Sequence, residues 1–161
     1  MEPKTPAQSA VTMAHLILPS DANPAGNCHG GVVLKYIDTC GSIAAQRHCR
    51  RSVVTASFDR TDFLAPVHVG EMVILKASLN FVGRTSMEVG VRVEAENLIT
   101  GEVRHTNSAY LTYVCLDENG RPQPVPPLVL NNDVDKRRNN EAAMRRQARH
   151  EAIAREKQGR E

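Results

Sequence analysis

From about residue 50 to residue 116 the chain alternates. SVVTASFDRTDFL, EMVILKASLNFVG, SMEVGVRVEAENL and EVRHTNSAYLTYVCLD place apolar residues at nearly every second position, the period of a strand with one buried face. PVHVG, GRT and ITG stand between them as turns. Upstream, VTMAHLILP (Val11 to Pro19) reads as a first strand that Pro19 ends. From about His29 to His48 the spacing changes to three and four: Leu34, Ile37, Gly41, Ala44 and Ala45, with Val33, Cys40 and Ile43 widening the stripe. This predicts a helix about 30 Å long, apolar around most of its girth and therefore deeply packed. Strands joined by short turns predict an antiparallel meander of four, with the first strand ahead of the helix. The predicted fold class is α+β, one long central helix wrapped by an antiparallel sheet.

The ends differ from this middle. Residues 1–10 read as disordered, and 11–130 as the one folded domain. RPQPVPPLV is extended and proline-rich. A charged helix then runs from about Asp133 to Lys157 within a C-terminal extension, 131–161. Its helix formers and Glu–Arg spacings are favourable, but its apolar face is thin, so it reads as an appendage outside the core.

Length and composition narrow the function. A chain of 161 residues suits one domain that needs no covalent staples. With 4% aromatic residues and no tryptophan, stacking on nucleic-acid bases is poorly supplied. Residues 136–161 hold nine Lys/Arg and four Asp/Glu, so the net charge of +2 lives in the tail. Cations interrupted by acids on a helix read as a solvated face or a clamp on a neighbouring protomer, and no nucleic-acid partner is expected. The four cysteines are irregularly spaced and read as reduced thiols. With no signal-peptide profile and no apolar run long enough for a membrane span, the expected location is the cytoplasm.

The candidate chemistry sits in NPAGNCHGGVV, Asn23 to Val33, and the helix it enters. Asp38 shares a helical face with Leu34, Gly41 and Ala45, so its carboxylate points toward packed surroundings beside a groove of small residues. That suits a general base. Gly30 and Gly31 lie at the helix start, where backbone N–H groups are unpaired and a ligand oxygen can approach closely. Donors at a helix N-terminus with a carboxylate two turns on are the minimum for adding water to a carbonyl. Cys28 and His29, being adjacent, are a poor nucleophile–base pair. CGSIA lacks the Gly-x-Ser-x-Gly elbow, and the Cys/His spacings do not suit zinc.

Four segments taken together carry a resemblance: PSDANPAGNCHGGVVLKYIDTCGSIAAQRHC, VVTASFDRTDFLAPVHVGE, GRTSMEVGVRVEAEN and LTYVCLDENGRPQPVPPL. In order and spacing they closely resemble the hot-dog-fold acyl-CoA thioesterases of the YciA and cytosolic brain-type acyl-CoA hydrolase group, over about residues 11–130. The resemblance implies a hot-dog fold in which two protomers pair edge to edge, and hexamers as trimers of such dimers. It implies a homo-oligomer that hydrolyses acyl-CoA to fatty acid and coenzyme A, with coenzyme A as part of the substrate and no metal or cofactor.

The resemblance also implies an interfacial site, pairing Asp38 of one protomer with Asn23 of the other. Asp38 then activates a water as the base or, as the lesser alternative, attacks the carbonyl directly; Asn23 orients water or thioester, the Gly31 N–H region meets the oxyanion, and His29 shapes the loop or assists at the carbonyl. Gly30, Val54, Thr55, Ala56 and Asp62 are expected along the pantetheine and acyl channel. Arg84, Thr85 and Ser86 are expected near the coenzyme A phosphates. DFLAPVH superficially resembles the Asp-x-Asn-Pro-x-His motif of hot-dog hydratases, but Asp62 and His68 are one residue too far apart and Ala65 replaces the Asn. A non-catalytic acyl-CoA sensor or carrier is the alternative, and the presence of both Asp38 and Asn23 argues against it.

Overall fold

The computed structural model describes residues 1–159. In chain order the elements are α1 (Pro6–Ser9), β1 (Val11–Leu16), a 3-10 turn (Pro19–Asp21), α2 (Gly30–Cys49), β2 (Ser52–Phe58), β3 (Met72–Val82), β4 (Ser86–Glu96), β5 (Val103–Leu116) and α3 (Asp133–Gln158). The five strands form one sheet in the order β1-β3-β4-β5-β2, every neighbouring pair antiparallel. All five strands pack against α2. Ile37, Cys40, Ala44 and Ala45 of the helix and Leu75, Val89, Leu111 and Tyr113 of the sheet are completely buried between them. Gly41, Ala44 and Ala45 keep the helix surface low, so the sheet can close around it.

Four expectations are corrected. β3, β4 and β5 do form a meander, but β2 lies beyond β5 at the sheet edge instead of beside β3. The segment between β2 and β3 is no tight turn; it runs along the start of β5, with Leu64 N–H donating to Thr106 O at 2.8 Å. Residues 1–10 are not disordered. Lys4 pairs its backbone with Pro127 and Val129, and its ammonium donates to the carbonyls of His48 (2.6 Å) and Arg47 (3.2 Å) at the negative C-terminal end of α2.

The fourth correction is α3, which is docked. Ala142 is completely buried, and the Asn139 amide donates to Asn80 O at 2.9 Å. Arg145 lies over the Tyr110 ring at 3.7 Å and pairs with buried Glu88 at 2.7 Å, while Arg149 pairs with Asp59 at 2.6 Å. A thin apolar face suffices because guanidinium groups, with their apolar stems and planar forks, meet Glu88 on the sheet and Asp59 just beyond the end of β2.

Candidate active site

His29 begins α2 as its N-cap: its Nδ1 accepts a hydrogen bond from Gly31 N–H at 3.0 Å. The ring thereby takes a donor expected to face an oxyanion. His29 is placed as a helix cap, and the Gly31 N–H becomes available to a ligand only when that ring turns away. Gly30 packs beside Phe63, whose ring would lie 3.6 Å from an added Cβ.

Asp38 is half-buried on the third turn. Its Oδ1 accepts from Thr55 Oγ1 at 2.7 Å and from Tyr113 Oη at 3.1 Å, and the Tyr113 hydroxyl also lies 2.9 Å from the Asp38 backbone oxygen. Both donors act on Oδ1; among the described residues none donates to Oδ2, and Asp38 is one of the residues lining the neighbouring groove. Burial first, then the Asp38 charge and the hydrogen bond to it, raise the Tyr113 pKa far above the ordinary phenol value, so Tyr113 remains a donor.

The sheet register explains how these groups meet. Thr55 pairs with Tyr113 and Phe58 with Leu111, both partners on the helix-facing side. Thr55 and Phe58 are three apart and would face opposite sides in a regular strand. A bulge between Thr55 and Ser57 resets the alternation, so both face the groove. That groove, about 680 Å³, is lined by Gly31, Leu34, Lys35, Asp38, Thr55, Phe58, Asp59, Thr61 and Phe63. It is open on one side, and its lining residues Phe58 and Phe63 are exposed.

Asn23 sits on a separate loop, and its bonds stay there. Its Oδ1 accepts from Ala25 N–H (3.0 Å) and Asn27 N–H (3.2 Å). The side-chain carbonyl is thus used to hold the loop, which leaves the Nδ2 hydrogens to point elsewhere as donors.

Of the other expected residues, Thr55 does more than line a channel, since it bonds the carboxylate directly. Val54 is exposed and pairs with Val114, on the face opposite Thr55, and Ala56 is the exposed bulge residue. Asp62 does not line the groove; it pairs with Arg60 at 3.1 Å on the open surface, and Asp59 takes the acidic place instead. Arg84 and Thr85 lie in the β3–β4 turn and Ser86 opens β4; all three lie outside the groove within one protomer. Arg84 O accepts from Val125 N–H and Thr85 O from Cys115 N–H.

Tyr113 was missed from sequence because a tyrosine on an alternating strand reads as core. The available signal was Gly41, a turn below Asp38 in a packed helix: a Cβ there would lie 2.5 Å from Tyr113 Oη.

Comparison with known proteins bears on this geometry. Residues 25–102 match the family described as the thioesterase superfamily. The Bacillus subtilis protein named uncharacterized acyl-CoA thioester hydrolase YkhA is 41% identical over 138 residues, covering 86% of this chain and 80% of that protein. A hexameric acyl-CoA thioesterase crystallised in its apo form superimposes with a TM-score of 0.91 at 38% identity, covering 96% of this chain and 99% of that one. An acyl-CoA hydrolase of Staphylococcus aureus, solved with butyryl coenzyme A, coenzyme A and coenzyme A disulfide, superimposes with a TM-score of 0.88 at 31% identity, covering 96% and 94%. That enzyme has also been solved with an aspartate, an asparagine or a threonine replaced by alanine, and these three are spaced along its chain as Asp38, Asn23 and Thr55 are here. The central helix in its sheet and the identity across most of both chains make this protein a member of the acyl-CoA thioester hydrolases of the hot-dog thioesterase superfamily.

Proposed function

We propose that this chain hydrolyses acyl-CoA at sites formed between two protomers, each site taking Asp38 from one and Asn23 from the other. The observation that carries the reading is the Asp38 carboxylate: one oxygen is fixed by Thr55 and Tyr113, the other takes no hydrogen bond from the described residues, and the residue lines a largely apolar, open groove. A substrate thioester lying in that groove places its carbonyl carbon beside a water held on Oδ2. The water gives a proton to Asp38 as its oxygen adds to the carbonyl carbon. The resulting oxyanion accepts hydrogen bonds from the Asn23 amide of the partner subunit and from the N–H groups at the start of α2. Collapse breaks the carbon–sulfur bond, and the departing thiolate takes the proton back from Asp38.

The free Nδ2 of Asn23 supports the donor part of this scheme, and the staphylococcal variants at matching spacings support the choice of residues. His29 acts by releasing or capping the Gly31 N–H. The Arg84–Ser86 turn is our candidate for the coenzyme A phosphates, reached across protomers. The working unit is a homo-oligomer built from such dimers and located in the cytoplasm; all four cysteines are unpaired and buried.

The test is release of free thiol from acyl-CoAs of short to long chain, with wild type and Asp38→Ala side by side. Wild type turns over, and the variant loses about 100-fold or more. Acyl-CoA binding by wild type without turnover would instead identify a sensor or carrier.

A further inference from the structure

Asn23 stands on a surface loop, yet the proposed chemistry needs its amide held to a fraction of an ångström at another protomer's site. Within the loop, Asn23 N–H donates to Asn27 O at 2.8 Å, and Asn27 N–H returns to Asn23 Oδ1. This closes the loop on itself. At its base the loop is tied to the start of α2, where His29 N–H donates to Asp21 O at 2.8 Å and Ala22 bridges Cys28. Its other attachment is made through Asn27. It forms an antiparallel bridge with His68, and its side-chain Oδ1 lies 3.0 Å from His68 Nδ1; the next residue, Cys28, donates to Val67 O at 2.7 Å.

His68 is itself held by a buried acid. Its N–H donates to Glu71 Oε2 at 2.8 Å, and Glu71 N–H donates to His68 O at 3.1 Å. The Glu71 carboxylate is 5% exposed as a residue and receives both guanidinium arms of Arg104, from β5, at 2.8 and 3.0 Å. Arg104 also donates to Pro66 O at 3.0 Å. A buried ion pair is a weak source of net stability because desolvation offsets the attraction. What this pair supplies is direction: apart from the bond between the two side chains, its bonds end on backbone atoms of residues 66–68, the segment against which the Asn23 loop rests.

We propose that the Arg104–Glu71 pair, acting through His68 and Asn27, positions Asn23 for the Asp38 of the partner subunit. These are positioning residues, and the inference rests on Asn23 serving the reaction. His68 thereby gains a role that has nothing to do with the hydratase-like spacing of DFLAPVH.

The test uses the full-length assembled protein with Asn23→Ala, His68→Ala and the double variant, together with Glu71→Gln as a second break in the same chain of contacts. Thermal unfolding and light scattering accompany the kinetics. His68→Ala and Glu71→Gln each lower kcat about tenfold with KM within about twofold, as expected for a misplaced group. The double variant is no slower than Asn23→Ala, because a misplaced residue that is already absent cannot be lost again. Unchanged kcat in both His68→Ala and Glu71→Gln overturns the proposal, as do losses that multiply in the double variant. Full activity in Asn23→Ala overturns the reading beneath it, and the two failures are told apart by that single variant.

Discussion

Gly41→Ala tests whether Tyr113 is seated where it is for the sake of Asp38. The added Cβ would stand 2.5 Å from Tyr113 Oη, 3.2 Å from Cε2 and 3.3 Å from Cζ. Comfortable carbon contacts lie near 3.5–4.0 Å, so the ring must retreat by several tenths of an ångström to about 1 Å. It cannot do so freely, because Tyr113 is completely buried and its hydroxyl is bonded to both the backbone and the carboxylate of Asp38. Overpacking of this kind costs about 1–3 kcal/mol, and losing the hydroxyl bond adds about 1 kcal/mol. The sum, about 2–4 kcal/mol, is read as a fall in the midpoint of chemical denaturation with unchanged slope. Thiol release should fall as well, since Oδ1 loses one of its two donors. In a Tyr113→Phe background the oxygen clash is gone and only the two ring contacts remain, so the same Gly41→Ala costs roughly half as much. Wild-type stability and turnover in Gly41→Ala, or a penalty undiminished in the Phe background, would refute this account of the helix glycine.

Arg145→Ala leaves Glu88, 3% exposed, without its cation and should cost about 3 kcal/mol in chemical denaturation. Combining Arg145→Met with Glu88→Leu should recover only part of that loss, because the buried Asn80 amide then loses Glu88 Oε1 as its acceptor; a purely surface role for α3 predicts no loss to recover. Burial of His48 holds its imidazole below the ordinary 6.5; the Lys4 charge adds to this and the Pro126 carbonyl opposes it. The unfolded chain therefore takes up a proton below pH 6.5 that the folded chain resists, so stability declines as pH drops through 6.5 and levels off below the lowered folded pKa. Denaturation midpoints across that range should decline less in His48→Gln than in wild type.

The sequence carried the fold to the extent that contacts were local or periodic. Helix α2 and all five strands follow from spacing alone, because burial on one face imposes it. The position of β2 does not, since its partner β5 is remote in sequence and alternation says nothing about which edge a strand joins. The docking of α3 was hidden for a related reason: Arg145 and Arg149 read as solvated charges until Glu88 and Asp59 are seen opposite them. Lys4 likewise finds its acceptors only when the end of α2 is brought near.

For the site, Asp38 was legible as an acid on an apolar helix face, and Asn23 only by resemblance. Tyr113, and Thr55 as a direct donor to Asp38, required the register and the bulge that set them against the helix. The His29 ring on Gly31 N–H depends on a rotamer, which no spacing encodes.

The central claim is that each site draws Asp38 and Asn23 from different protomers. Asp38→Ala and Asn23→Ala chains, each impaired alone, can be unfolded together and reassembled at equal ratio, and thiol release compared with each variant reassembled by itself. Mixed dimers then contain one site with both residues intact, and the account predicts recovery to about a quarter of wild-type turnover under random pairing. Turnover no higher than the average of the separate variants, with mixed assemblies verified by mass, would contradict it and place both residues in one chain's own site.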